Sequence, residues 1–145
     1  MNGLVITRAV EYSDLNPNNY ALKNTYVSNL LTTAIATLPI IEKISEGVVS
    51  IVRGFESKKC IATESTRPSS LDYKFGEGLA LEIQIDPYNH HLVVVALKKI
   101  IDETNACFQF HVDRHKRRVV IYRAKKTSKI SEELPDEKRI LFVEE

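Results

Sequence analysis

Residues Leu79-Ala80-Leu81-Glu82-Ile83-Gln84-Ile85 alternate without interruption, with Leu79, Leu81, Ile83 and Ile85 pointing one way and Ala80, Glu82 and Gln84 the other. Successive side chains of a strand project to opposite faces, so this period predicts a half-buried strand whose apolar face needs a cover. The cover is written upstream. From Thr25 to Ile44 the residues Val27, Leu30, Leu31, Ala34, Ile35, Leu38, Ile41 and Ile44 recur at three- and four-residue steps, which predicts a helix with one buried stripe. Pro39 lacks a backbone donor and is expected to kink or split that helix, and Gly47 to end it.

Further elements follow the same logic. Val48 to Arg53 is a short β-rich run, and Glu56 to Gly78 is polar and reads as a long loop. After Asp86-Pro87 a second helix is expected from about Tyr88 to Glu103, with Leu92, Val95, Ala96 and Ile100 inward. Asp86 is its expected N-cap, with Pro87 at the first helical position. Ala106 to Val112 alternates again, with Phe108, Phe110 and Val112 on one face and Cys107, Gln109 and His111 on the other. Asp113-Arg114-His115-Lys116 reads as a hairpin turn into a strand from Arg118 to Tyr122. The order predicts an α+β fold, a small antiparallel sheet packed with two main helices. Residues 1–24, with Asn16-Pro17-Asn18-Asn19, read as a loose arm, 25–129 as the domain, and 130–145 as a charged tail with one apolar patch, Ile140 to Val143.

Composition narrows the class. A chain of 145 residues that is 43% hydrophobic has an ordinary single-domain core and is not a disordered chain. Its formal charge of +1 says nothing for or against nucleic acid, but eight basic residues and no acidic one fall between Arg114 and Lys129. Cys60 and Cys107 are too few for a disulfide scaffold and are read as reduced thiols. The first twenty residues lack the basic start and apolar core of a signal peptide, and no apolar run approaches the ~20 residues of a membrane span. The expectation is a soluble protein made in the cytoplasm.

Glu82 and His111 stand out because each occupies the polar face of an otherwise apolar strand. A zinc hydrolase on such a sheet needs three converging His, Asp or Glu ligands, an open position for water, and a nearby carboxylate base. The ordered motifs resemble those of the D-alanyl-D-alanine and L-alanyl-D-glutamate peptidases, zinc enzymes of the hedgehog/DD-peptidase fold. Val27-Ser28-Asn29-Leu30 running into Leu38-Pro39 resembles that family's first helix. Val48 to Arg53 resembles the strand ending in Ser-Gly-Tyr-Arg, where Ser50 and Arg53 match and the Gly and Tyr do not. Gly78-Leu79-Ala80-Leu81-Glu82 resembles the second half of Ser-x-His-x-x-Gly-x-Ala-x-Asp, with Glu82 in place of the zinc-binding Asp. The His of that motif falls on Phe75 and its Ser on Tyr73, while the late motif keeps its final ligand as His111 and has Phe108 at the catalytic acid.

The resemblance therefore implies a vestigial zinc site at Phe75, Glu82 and His111, a vestigial catalytic-acid position at Phe108, and a vestigial substrate-carboxylate position at Arg53. A phenyl ring has no lone pair for zinc, and without an acid at Phe108 hydrolysis lacks its proton-transfer group. No peptidase activity, metal or cofactor is expected, and the two rings are expected to fill the old cleft. His90, His91 and His115 are the side chains that could replace a missing nitrogen. Cys107 and His111 share a strand face about 13 Å apart in backbone rise, too far for direct proton transfer.

Three functions are weighed. The first is a non-catalytic structural or binding protein, a bacteriophage virion component of the tail, baseplate or connector. Its partners would be other virion or assembly proteins or further copies of itself. The second is an active zinc peptidase of peptidoglycan cross-links with a rearranged metal site built on Glu82, His111 and one further His. The third is a nucleic-acid binder acting through the basic run from Arg114 to Lys129, with Tyr122 available to stack.

Overall fold

The computed structural model of the chain describes residues 3–57, 72–104, 107–124 and 139–143. In chain order the elements are β1 (Val5–Thr7), β2 (Val10–Glu11), the one-turn helix α1 (Tyr12–Leu15), α2 (Asn24–Ser45) and β3 (Val48–Arg53). A 3-10 turn (Asp72–Glu77), β4 (Ala80–Asp86), α3 (His90–Glu103), β5 (Phe108–Asp113), β6 (Arg118–Arg123) and β7 (Ile140–Phe142) complete it. The β1–β2 ribbon stands apart from a five-stranded sheet in the order β3-β4-β6-β5-β7. The expected α+β class holds, with one change to the sheet: β7 runs parallel to β5, so the sheet is mixed.

The two helices and one face of the sheet enclose a single apolar cluster. Leu30, Ala34, Leu38 and Ile41 of α2 meet Val93, Ala96, Leu97 and Ile100 of α3 and the inward residues of the strands there. Thr33 and Thr37 sit buried in the same stripe, and each hydroxyl donates to the carbonyl four residues back at 2.7 Å, which satisfies a polar group inside the core. Two expected members of the stripes face water instead: Ile35 is 55% exposed and Val95 41%. A stripe one hundred degrees wide has no room for every apolar residue on a helix.

Pro39 neither splits nor ends α2, which runs unbroken for 22 residues. Its ring is on the exposed side, and the carbonyl it leaves without a donor is that of the exposed Ile35, where water can supply the bond. The helix ends at Glu46, whose left-handed backbone (φ 62°) brings its N–H to Glu42 O at 3.1 Å. Gly47, expected as the terminator, serves a different need, since a Cβ there would lie 2.5 Å from Pro87 O. The α3 cap also differs from expectation: Asn89, not Asp86, accepts from Leu92 N, and the helix begins at His90. Among the described residues α2 alone is long and apolar enough, by composition, to reach across a bilayer. That run was not expected from the sequence, and its apolar stripe is committed to the core.

Both ends of the chain contribute to this body. The expected N-terminal arm places Val10, Tyr12 and Leu15 in the core cluster, and Phe55 N donates to Leu15 O at 2.7 Å. Of the expected C-terminal tail, residues 139–143 form the edge of the sheet, with Phe110 N bonded to Arg139 O and Val143 N to Val112 O. Ile140 is what docks the strand, buried against the core cluster. Cys60, most of the expected 56–78 loop, Lys125, Lys126, Lys129 and the rest of the tail lie outside the described residues.

Candidate functional site

Strand register decides which candidate residues share a face. Glu82 pairs with Val120, and Val120 with His111, so these three lie in one row on the face away from the helices. Ala80, Tyr122 and Gln109 form the next row. Arg53 joins them through an irregularity in β3: the register shifts between Ile51, opposite Ile83, and Arg53, opposite Glu82. An extra residue in one strand turns the following side chains over, which here brings Arg53 to the outer face.

Phe75 is carried over this face by the 3-10 turn. Leu79 N donates to Lys74 O at 2.9 Å, and Lys74 Nζ reaches Arg123 O at 2.8 Å, which pins the turn to the end of β6. Gly78 makes the exit possible. Its φ is +76°, and a Cβ would lie 2.6 Å from Tyr26 O. The small side chain of Ala80, fully buried in one cluster with Phe75 and Tyr122, leaves room for the ring. The Gly and Ala that resemble a peptidase motif thus each have a packing reason in this fold.

The result is a continuous row. The Arg53 guanidinium lies 3.8 Å above the Phe75 ring, and its Nε is paired with Glu56. Phe75 meets Tyr122 edge-on at 6.2 Å, and Tyr122 meets His111 edge-on at 4.8 Å. His111 Nε2 lies 3.1 Å from the Gln109 amide, and burial holds the imidazole below its ordinary pKa, favouring the neutral ring. Glu82 is 3.9 Å from Arg118 and takes no part in this chain of ring contacts.

Arg53, Phe75, Glu82 and His111 therefore share one face of the sheet. Phe108 does not. It is 3% exposed on the helix side, stacked on Phe110 at 6.1 Å, so it fills the main core instead of joining Phe75 on the outer face. A separation of three along a strand puts Phe108 and His111 on opposite faces. Glu82 and His111 sit on strands either side of β6, on the order of 10 Å apart by strand spacing, with Val120 between them.

The substitute ligands lie elsewhere. His90 begins α3 and is held by Tyr88 at 2.8 Å and Phe142 at 5.5 Å between centroids, His91 is on the same helix, and His115 is in the exposed β5–β6 turn. Among the described residues no three His, Cys, Asp or Glu side chains gather around a common point. Cys107 is an exposed free thiol. The basic run is also dispersed: Arg117 lies 3.7 Å from Asp86, Arg118 faces Glu82, and Arg123 points to the helix side.

Tyr122, read from the sequence as a residue available to stack on a base, joins Phe75 to His111. Its parity with Val120 on a strand beside His111 was the signal for its place in the row. Comparison of the chain with protein-family models, with curated proteins and with solved structures finds no match.

Proposed function

We propose that the chain is a non-catalytic binding and assembly module on a hedgehog/DD-peptidase-like scaffold, a bacteriophage virion component of the tail, baseplate or connector. The observation that carries this reading is the Phe75 ring. It is fully buried and clamped between Arg53 and Tyr122 at the position where the family resemblance puts a zinc ligand. Arg53, the aligned substrate-carboxylate group, is engaged by that ring and by Glu56. Aromatic packing has taken the place that a metal and substrate would need, because a guanidinium over a desolvated ring is itself a favourable contact.

The edge of the sheet supports the assembly half of the reading. Leu141 and Phe142 of β7 and Val143 just after it are all more than 40% exposed, and β7 pairs on one side only among the described residues. Monomeric proteins ordinarily blunt such an edge with charge or cover it. The virion setting comes from the peptidase resemblance alone.

Two measurements test the proposal. Zinc content and peptidoglycan stem-peptide hydrolysis are measured on the purified protein, with and without added zinc. No stoichiometric zinc and no metal-dependent cleavage are expected, and either one would overturn the non-catalytic reading. Mass spectrometry of purified virions from the phage carrying this sequence is expected to find the chain at fixed copy number; its absence from particles would remove the virion assignment.

A further inference from the structure

On the helix side, β6 carries Val119 and Ile121 into the core and then, at the next inward position, Arg123. Arg123 lines a cleft of about 530 Å³ between the end of the sheet and the first turns of α2, a volume in the range of small-ligand sites. Its guanidinium makes no hydrogen bond or ion pair among the described residues, and Nη1 is buried without a partner. A guanidinium nitrogen buried without an acceptor carries a desolvation cost that leucine or methionine in the same space would not.

The opposite wall is a polar stretch at the start of α2, partly open to solvent. Thr25, Ser28, Asn29 and Thr32 recur at the three- and four-residue steps of one helix face, and all four line the cleft. The wall is held in place from both sides. Asn29 Nδ2 donates to Glu77 O at 2.9 Å, and Arg123 N donates to Leu79 O at 2.8 Å. Arg123 is the one cation among the lining residues and Glu77 the one anion.

We infer that this cleft binds a single carboxylate, held by the Arg123 guanidinium and by hydroxyl groups of the α2 wall. A planar guanidinium matches a carboxylate through two parallel hydrogen bonds. Glu77 on the lining, with no second cation, disfavours a phosphate dianion. Burial lowers the Arg123 pKa and the nearby Cys107 offsets part of that shift, the net direction being that of a guanidinium that has lost water. The cleft lies on the other side of the sheet from the Phe75 row, so the inference stands apart from the proposed function.

Two sources supply the same chemistry, a small free acid or the C-terminus of a peptide, and titration calorimetry separates them. The probes are acetate, an N-acetyl dipeptide acid, its C-terminal amide, and inorganic phosphate. The acid is expected to bind in the millimolar range or tighter, and the amide about ten-fold more weakly, the loss of one charge-assisted contact. Dipeptide acid well above acetate assigns a peptide terminus; equal affinity assigns a small free acid. Arg123→Met is expected to keep the wild-type melting temperature and lose binding by about ten-fold or more. Thr32→Val, on the exposed helix wall, is expected to weaken binding several-fold and carries the test if Arg123→Met does not fold. Equal binding of acid and amide, phosphate matching acetate, no saturable binding of any carboxylate, or undiminished binding by both variants would each overturn the inference.

Discussion

On the helix side of the central sheet, Leu81, Ile83, Ile85, Phe110, Val119 and Ile121 are all fully buried in one apolar cluster. On the opposite side the same strands present Glu82, Gln84, Gln109, His111 and Arg118 at intermediate exposure around a small closed patch of Phe75, Ala80 and Tyr122. The inner face draws its stability from area removed from water, which is indifferent to residue identity so long as volume is kept. The outer face depends on particular pairs, Arg53 on Phe75 and Tyr122 on His111, and each pair is small. A side chain's consequences here follow its parity along the strand more than its resemblance to a motif.

Phe108→Asp, which by motif would restore a catalytic acid, puts a carboxylate into the inner face. A buried, unpaired carboxylate is expected to remove more than about 4 kcal/mol, enough to abolish folding of a domain this size. Urea denaturation followed by circular dichroism checks it. A folded variant of near wild-type stability would place Phe108 on the outer side and undo the assignment of faces. Next in size, Phe110→Ala is expected to lose about 3–5 kcal/mol, and Phe75→Ala about 3 kcal/mol. Phe75 is as buried as Phe110 but belongs to a cluster of three residues, so the smaller cavity can relax toward solvent. Equal losses would mean that the outer patch is a second core.

Most of the fold was legible because the two periodicities are clean. The strands at Val48–Arg53, at 80–86 and at 108–113, the hairpin turn, and both main helices could be placed from spacing alone. The ends of the chain could not. Val10, Tyr12, Leu15 and Ile140 are isolated apolar residues in polar surroundings, and nothing local announces that a distant core will take them. The site was legible only in part. Alternation put Glu82 and His111 on polar faces, but which strands neighbour each other is a matter of pairing over long separations, and β6 comes between them. Arg53 reached the face through a register shift that no periodicity reveals. The core-side position of Phe108 was legible, since its alternation with Phe110 sets it on the face opposite His111.

A pH titration sharpens the contrast without altering volume. Burial lowers the pKa of His111 below the ordinary 6.5, so the unfolded chain binds more protons than the folded one from about 6.5 down to the folded pKa. Stability is therefore expected to fall as pH drops through that window and to be flat above it. His90 shifts in the same direction, through burial and then Arg114, so two groups share the slope. His111→Gln is expected to reduce the slope by its share while leaving the midpoint at pH 8 nearly unchanged. A slope identical to wild type would mean that His111 titrates alike in both states and is less enclosed by Tyr122 than the rings suggest.

Glu82→Ala should have the smallest effect, and its smallness is informative. Glu82 replaces a would-be metal ligand, yet its visible partner is Arg118 at 3.9 Å, with the arginine well exposed. Ion pairs of that kind contribute about 0–1 kcal/mol, so the variant is expected to lose no more than that in urea denaturation. Arg118 Nε is already buried without a partner among the described residues, and removing a carboxylate that does not reach it adds no new orphan. A loss above about 3 kcal/mol would be too large for a surface pair and would point to an uncompensated charge. If chelation of the wild-type protein produced the same loss, Glu82 would be holding an ion, and the outer face would be a working metal site instead of an aromatic patch.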